Sequence, residues 1–185
     1  MAKTISTMIP LGTHAPDFKL LNTITNEFAT LKQLASPSAT VIMFICNHCP
    51  FVKLIQDKMA EIAANYNKKG VSFIAICSND VTNYPEDSPE NMRKVAEQHH
   101  YTFPYLYDET QEVAKAYHAA CTPDFFVFDK NLACVYRGRF DEATPGNGQP
   151  VTGKDLSTAL DQLLAGKAIS EEQHPSMGCN IKWKS

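Results

Sequence analysis

The chain has 185 residues, 44% of them hydrophobic, and a formal net charge of −3. That composition supports a globular core, and small interspersed charge excludes the basic footprint of a nucleic-acid binder or of a protein held to an anionic membrane. Six cysteines in a chain of this length are too few for a disulfide scaffold; in a reducing compartment, paired cysteines do chemistry or bind metal.

The first ten residues carry one Lys and no continuous apolar stretch, so they do not read as a secretory signal, and no apolar run approaches a membrane span. The expectation is a cytoplasmic protein. After an irregular lead-in over 12–18, residues 18–21 and 27–30 flank a polar turn and predict a short hairpin. Residues 31–34 read as a helical turn ended by Ser36-Pro37. Residues 40–45 are apolar and β-branched on both faces, the pattern of a central strand covered on both sides.

From Pro50, the apolar residues Phe51, Ile55, Met59, Ile62 and Tyr66 share one helical face, and Lys68-Lys69-Gly70 stops the helix. Residues 71–77 form the next strand. Strand–helix–strand implies a parallel pair with a right-handed crossover. Residues 78–87 read as a polar loop whose acids, Asp80 and Asp87 with Glu86 and then Glu90, belong to a solvated face. Ser88-Pro89 caps a helix with Met92, Val95, Ala96 and His99 on one side. A short aromatic strand lies within 101–107. Asp108 with Gln111 has the spacing of a capping box for a helix through Tyr117. Residues 124–128 and 132–136 predict a hairpin. After a Gly/Pro-rich loop, Thr152 with Asp155 starts a last helix whose stripe is Leu156, Ala159, Leu160, Leu163 and Leu164. This order predicts an α/β fold with a mixed central sheet. The expected organisation is one domain: an extension over 1–38, a core over 39–166 and a tail over 167–185.

Cys46-Asn47-His48-Cys49-Pro50 lies between the predicted central strand and the long helix. A Cys-x-x-Cys in that position is a redox arrangement more often than a structural one, because a helix N-terminus stabilises a thiolate and the thiolate is the nucleophile. Cys46, first in the motif, is expected to be the more exposed and the attacking thiol, with Cys49 resolving. An imidazolium at His48 would lower the thiol pKa further. Cys77 and Cys134 fall inside strands and read as core. Arg137 and Arg139 read as solvated charges or carboxylate partners. The tail holds Met177, Cys179, Ile181 and Trp183. Docking on the active site would make Cys179 a further thiol of the cycle; docking elsewhere, the favoured reading, would make it structural.

The chain resembles the thioredoxin-like superfamily, and within it the peroxiredoxin-like, AhpC/TSA-type proteins with a Cys-Asn-His-Cys-Pro motif. The resemblance rests on Gly12-x-x-Ala15-Pro16-Asp17-Phe18, on Cys46 to Pro50, on Thr122-Pro123 before the late hairpin, and on Pro175-Ser176-Met177-Gly178-Cys179-Asn180-Ile181-Lys182 in the tail. It implies a thioredoxin-like fold with a cis Thr122-Pro123 bond against the dithiol, and places Cys121 near Cys46 as a possible third thiol. It implies a thiol–disulfide oxidoreductase without cofactor, serving redox homeostasis. Protein or small-molecule thiols and disulfides would be its partners, and an external thiol its reductant. His48 points to a pair more oxidising than thioredoxin's. A peroxide-reducing antioxidant enzyme is the alternative within the same resemblance. However, the peroxiredoxin Pro-x-x-x-Thr-x-x-Cys pattern is absent: Met43 and Ala39, or Cys46 and Ile42, occupy its Thr and Pro places. The family arginine before the hairpin is also missing, and so are the Trp and buried acid that thioredoxins carry beside the motif. From another class, Cys46, His48 and Cys49, with Cys121, His174 or Cys179, could bind zinc or copper.

Overall fold

The computed structural model describes residues 3–185. The main sheet is built around β4 (Ala39–Phe44), every residue of which is buried. β4 runs parallel to β5 (Val71–Cys77), which runs parallel to β6 (Tyr105–Tyr107). On its other side β4 pairs antiparallel with β8 (Asp124–Phe128), and β8 with β9 (Cys134–Gly138). The early hairpin, β2 (Lys19–Asn22) with β3 (Glu27–Thr30), joins this sheet because β2 pairs with β6, giving the order β3-β2-β6-β5-β4-β8-β9.

The pleat sends alternate β4 side chains to opposite faces, and both are covered. Val41 and Met43 pack toward α2 (Pro50–Asn67), α3 (Pro89–Gln98) and α5 (Lys154–Leu164). Ile42 and Phe44 pack toward α1 (Leu31–Leu34) and α4 (Glu112–Ala116), where Phe44, Tyr117, Phe126 and Phe128 form a ring cluster. α2 begins at Pro50, which has no N–H to leave unpaired, and it buries Val52, Ile55, Met59, Ile62 and Tyr66. Phe51 is only half-buried, at the rim. No helix among the described residues is long and apolar enough to cross a membrane.

Two local expectations differ. Asp108 and Gln111 form no capping box: Gln111 is left-handed (φ 65°) and its amide donates instead to the Ser78 and Lys182 carbonyls, at 2.6 and 2.9 Å. Asp108 accepts from Ala114 N and Ser78 Oγ. α5 starts one residue after Thr152, at left-handed Gly153, with both N–H groups held by the buried Asp141. A side chain at Gly153 would strike Ile62 and Phe140.

The tail is a structural element. β10 (Met177–Asn180) lies antiparallel between β1 (Lys3–Ile5) and β7 (Cys121–Thr122), with Cys179 opposite Thr122 and Asn180 opposite Cys121. Beyond it, the Lys182 carbonyl accepts from Asp80 N and Lys182 N donates to Asn79 Oδ1. The tail holds by backbone and amide bonds and by Ile181, which is buried, whereas Met177 and Trp183 stay 39% and 42% exposed.

Candidate active site

Parallel strands β4 and β5 end at the same edge of the sheet, where sites form in open α/β sheets. β4 delivers Ile45 and Cys46 there, and α2 takes over at Cys49, its N-cap residue. β5 delivers Ser78 and Asn79. The β7–β8 junction brings Thr122 and Pro123 across from them, and the Thr122–Pro123 bond is cis.

Four sulfur contacts define the centre. Cys46 Sγ lies 3.4 Å from Thr122 Oγ1 and 4.0 Å from His48 Nδ1. Cys49 Sγ lies 3.2 Å from Thr122 O and 2.8 Å from Cys179 Sγ. Cys46 and Cys49 also act on each other's titration. Both are buried, at 1% and 0% exposure, so the expectation of an exposed Cys46 is overturned. The tail docks on the site rather than elsewhere, with its Cys179 against Cys49.

Cys46 and Cys49 shift each other in opposite directions, in the sense that favours the anion on Cys49. Its thiol pKa is lowered to about 5 by the S–H donated from Cys46, then by that of Cys179 and the Val52 N–H of the first helical turn. Burial favours the protonated form, but these donors and the Thr122 hydroxyl outweigh it. Cys46 moves up, chiefly because it is the donor to Cys49, and further through burial and the nearby Asp87 carboxylate. These directions favour the thiolate on Cys49 rather than on Cys46, where the motif alone places it.

Asp87 is the residue that sequence reasoning missed. It ends a 3-10 turn, Pro85–Asp87, and is fully buried rather than solvated. Its Oδ1 accepts from Asn47 N (2.7 Å) and His48 N (3.3 Å), and its Oδ2 contacts His48 Nδ1 (2.7 Å) and Asn79 Nδ2 (2.7 Å). The hydrogen bond to Asp87 raises the His48 pKa, so the imidazolium is favoured. Its charge is matched by the carboxylate, however, and a neutral dyad does not lower Cys46 as a bare imidazolium would. His48 also stacks on Tyr84, at 5.3 Å between ring centroids. Asn47 closes the loop by donating to Glu86 O and accepting from Tyr105 Oη. The signal for Asp87 was positional only: it follows the C-terminal end of the strand next to the one bearing the motif.

Of the other candidates, Cys121 is buried with its sulfur toward Pro123 O, and burial pushes its pKa up. Cys77 and Cys134 are buried in β5 and β9. Arg137 donates to Ile9 O and Gln173 Oε1, and Arg139 pairs with Asp155 at 2.6 Å, so neither guanidinium is spent on the thiols. Among the described residues, the one grouping with metal-ligand spacing is Cys46, His48 and Asp87, with donor atoms within 4.8 Å of one another. Of the ligand set read from the sequence it contains Cys46 and His48 but not Cys49, Cys121, His174 or Cys179, and its His and Asp are already bonded to each other.

The sequence profile of the AhpC/TSA family matches residues 11–137. A comparison with curated proteins finds no match. Among solved structures, an uncharacterized conserved protein from Geobacillus kaustophilus is 60% identical with a TM-score of 0.98, covering 100% of this chain and 97% of that one. A hypothetical protein from Sinorhizobium meliloti 1021 is 46% identical with a TM-score of 0.96, covering 98% and 99%. The thioredoxin domain of a thiol-disulfide oxidoreductase from Bacteroides vulgatus has a TM-score of 0.63 at 12% identity, covering 82% and 99%; a likeness at that identity shows the fold. The architecture is thus thioredoxin-like, and the chain belongs to the AhpC/TSA family.

Proposed function

We propose that the chain is a thiol–disulfide oxidoreductase cycling between the Cys46/Cys49 dithiol and its disulfide, with protein or small-molecule disulfides as substrates and an external thiol as reductant. The observation that carries this is the cysteine pair at the entrance of α2, packed against Thr122 beside the cis Pro123, and the direction of the thiol shifts, which favours the anion on Cys49, supports it. The Cys49 thiolate attacks one sulfur of the substrate disulfide, and the other leaves as a thiolate that takes a proton. Cys46 then attacks the Cys49 sulfur, the Cys46–Cys49 bond forms, and the second substrate thiol departs. Two electrons pass to the substrate, and an external dithiol returns them. When the pair is reduced in this way, Cys46 departs as the leaving thiolate 4.0 Å from His48, whose imidazolium can protonate it. This order of roles reverses the one read from the motif.

Stabilising the thiolate stabilises the reduced form, which moves the couple to the oxidising side of thioredoxin's roughly −270 mV. Equilibration with glutathione checks this; a potential at or below thioredoxin's opposes it. The decisive experiment is turnover of a small aromatic disulfide with excess external thiol. Cys49→Ser is expected to abolish turnover, and full activity in that variant overturns the reading. Family membership favours hydrogen peroxide as the competing electrophile. Against it, Arg137 and Arg139 are engaged elsewhere, leaving neither to polarise a peroxide. Peroxide consumption coupled to the same thiol, as fast as disulfide turnover, would shift the assignment to a peroxidase.

A further inference from the structure

The edge of β7 next to Pro123 faces the dithiol, and the chain's own tail occupies it. β10 pairs with β7 so that Cys179 lies opposite Thr122. Gly178 packs so closely that a Cβ there would sit 1.9 Å from Thr122 O, an approach open to glycine alone. The result is a cysteine-bearing strand laid across the site, with Cys179 Sγ 2.8 Å from Cys49 Sγ. That separation is shorter than van der Waals contact and longer than the roughly 2.0 Å of a disulfide. Cys49 therefore touches the Cys179 thiol directly while it also acts on Cys46.

We propose that Cys179 is the third thiol of the cycle and that β10 is a built-in acceptor strand: the disulfide migrates from Cys46–Cys49 to Cys49–Cys179. The inference rests on the Cys46/Cys49 reading above. In the step, the Cys179 thiolate attacks Cys49 Sγ of the Cys46–Cys49 disulfide. The Cys49–Cys179 bond forms, the Cys46–Cys49 bond breaks, and Cys46 leaves as a thiolate that takes up the proton Cys179 gave to water. No net electrons are exchanged; one disulfide replaces another. The exchange is ordered by charge. In the reduced protein, burial first and then donation of its S–H to Cys49 hold the Cys179 thiol up to about 12. Once Cys49 is in a disulfide, the part due to the Cys49 anion disappears, while Lys182 nearby still favours the Cys179 thiolate. The product ties the tail to the start of α2 and returns Cys46 as a thiol beside His48.

The test uses the full chain, oxidised with limiting oxidised glutathione, quenched in acid, alkylated with N-ethylmaleimide and mapped by mass without reduction. Wild type is expected to give both the Cys46–Cys49 and the Cys49–Cys179 disulfides, with maleimide on Cys46 in the second. Cys46→Ser is expected to give Cys49–Cys179 alone. Cys179→Ser is expected to give Cys46–Cys49 alone and to lose the Cys46 labelling. A Cys46→Ser protein in which Cys49 carries glutathione while Cys179 carries maleimide overturns the proposal, as does wild type that yields Cys46–Cys49 and no Cys49–Cys179. Those results leave the oxidoreductase reading intact. Wild type with neither disulfide nor any adduct on Cys49 removes that reading too.

Discussion

Gly178→Ala tests the seating of the tail on the dithiol. The added carbon would meet Thr122 O at 1.9 Å, where ordinary contact begins at 3.4 Å, and its other neighbours are backbone atoms of Thr122 and Pro123. The two strands must separate by the difference, about 1.5 Å. A hydrogen bond of ordinary length lengthened by that much lies outside the roughly 3.2 Å limit. Overpacking of this kind costs about 1–3 kcal/mol. If that cost falls on the closed position of the tail, the balance toward an open one shifts by about 5- to 150-fold. With the Cys49 thiol lowered to about 5, its alkylation rate at pH 8 is expected to report access rather than titration. The assay is iodoacetamide modification of the reduced protein, site-mapped by mass, beside hydrogen exchange. Cys49 labelling is expected to accelerate by that factor, with faster exchange at 177–182 and unchanged protection in β4 and β5. Labelling and exchange equal to wild type would refute the argument that this strand shields the thiols.

Asp87→Asn removes the carboxylate that raises the His48 pKa. A group raised on folding stabilises below its unfolded value, about 6.5, and that contribution fades as pH rises through the folded value. Asp87 itself is lowered on folding, so its contribution is present above about 3.8 and lost in acid below that. The variant should thus lose most stability around pH 5–6 and less at pH 9, as measured by denaturant unfolding; equal losses at both pH values would contradict the ion pair. By NMR, His48 should titrate lower than in wild type. Phe126→Ala empties a fully buried site whose ring lies 6.0 and 6.1 Å from those of Phe44 and Tyr117. It should cost about 3–5 kcal/mol, and a loss under about 1 kcal/mol would mean the site collapses freely. Thr122→Val deletes the hydroxyl 3.4 Å from Cys46 Sγ, one of the groups that lowers the Cys46 pKa. Cys46 alkylation in a Cys49→Ser background should then shift to higher pH, and an unmoved profile would exclude that contact.

The parts legible in sequence are those where one local pattern decides. Residues Ala39–Phe44 are apolar on both faces, and α2 carries a stripe from Ile55 to Tyr66, so strand, helix and the Cys-x-x-Cys between them followed directly. What stayed hidden depends on contacts distant in the chain. Asp87 has the composition of a solvated loop and is buried only because Asn47, His48 and Asn79 converge on it. Gln111 sits at a capping spacing, but its amide is drawn to Ser78 and to Lys182, 71 residues away. The tail misled for a similar reason. Of its apolar residues Met177, Ile181 and Trp183, only Ile181 is buried, and Gly178 and backbone bonds do the rest of the anchoring.

That polar mode of attachment has a consequence for reversibility. A segment clasped mainly by amide groups, its two bulkiest apolar side chains already facing water, can lift and reseat with little sticky surface uncovered. Repeated opening to admit a partner would then be a soluble event, without the drift toward self-association that follows when a hydrophobic plug is withdrawn.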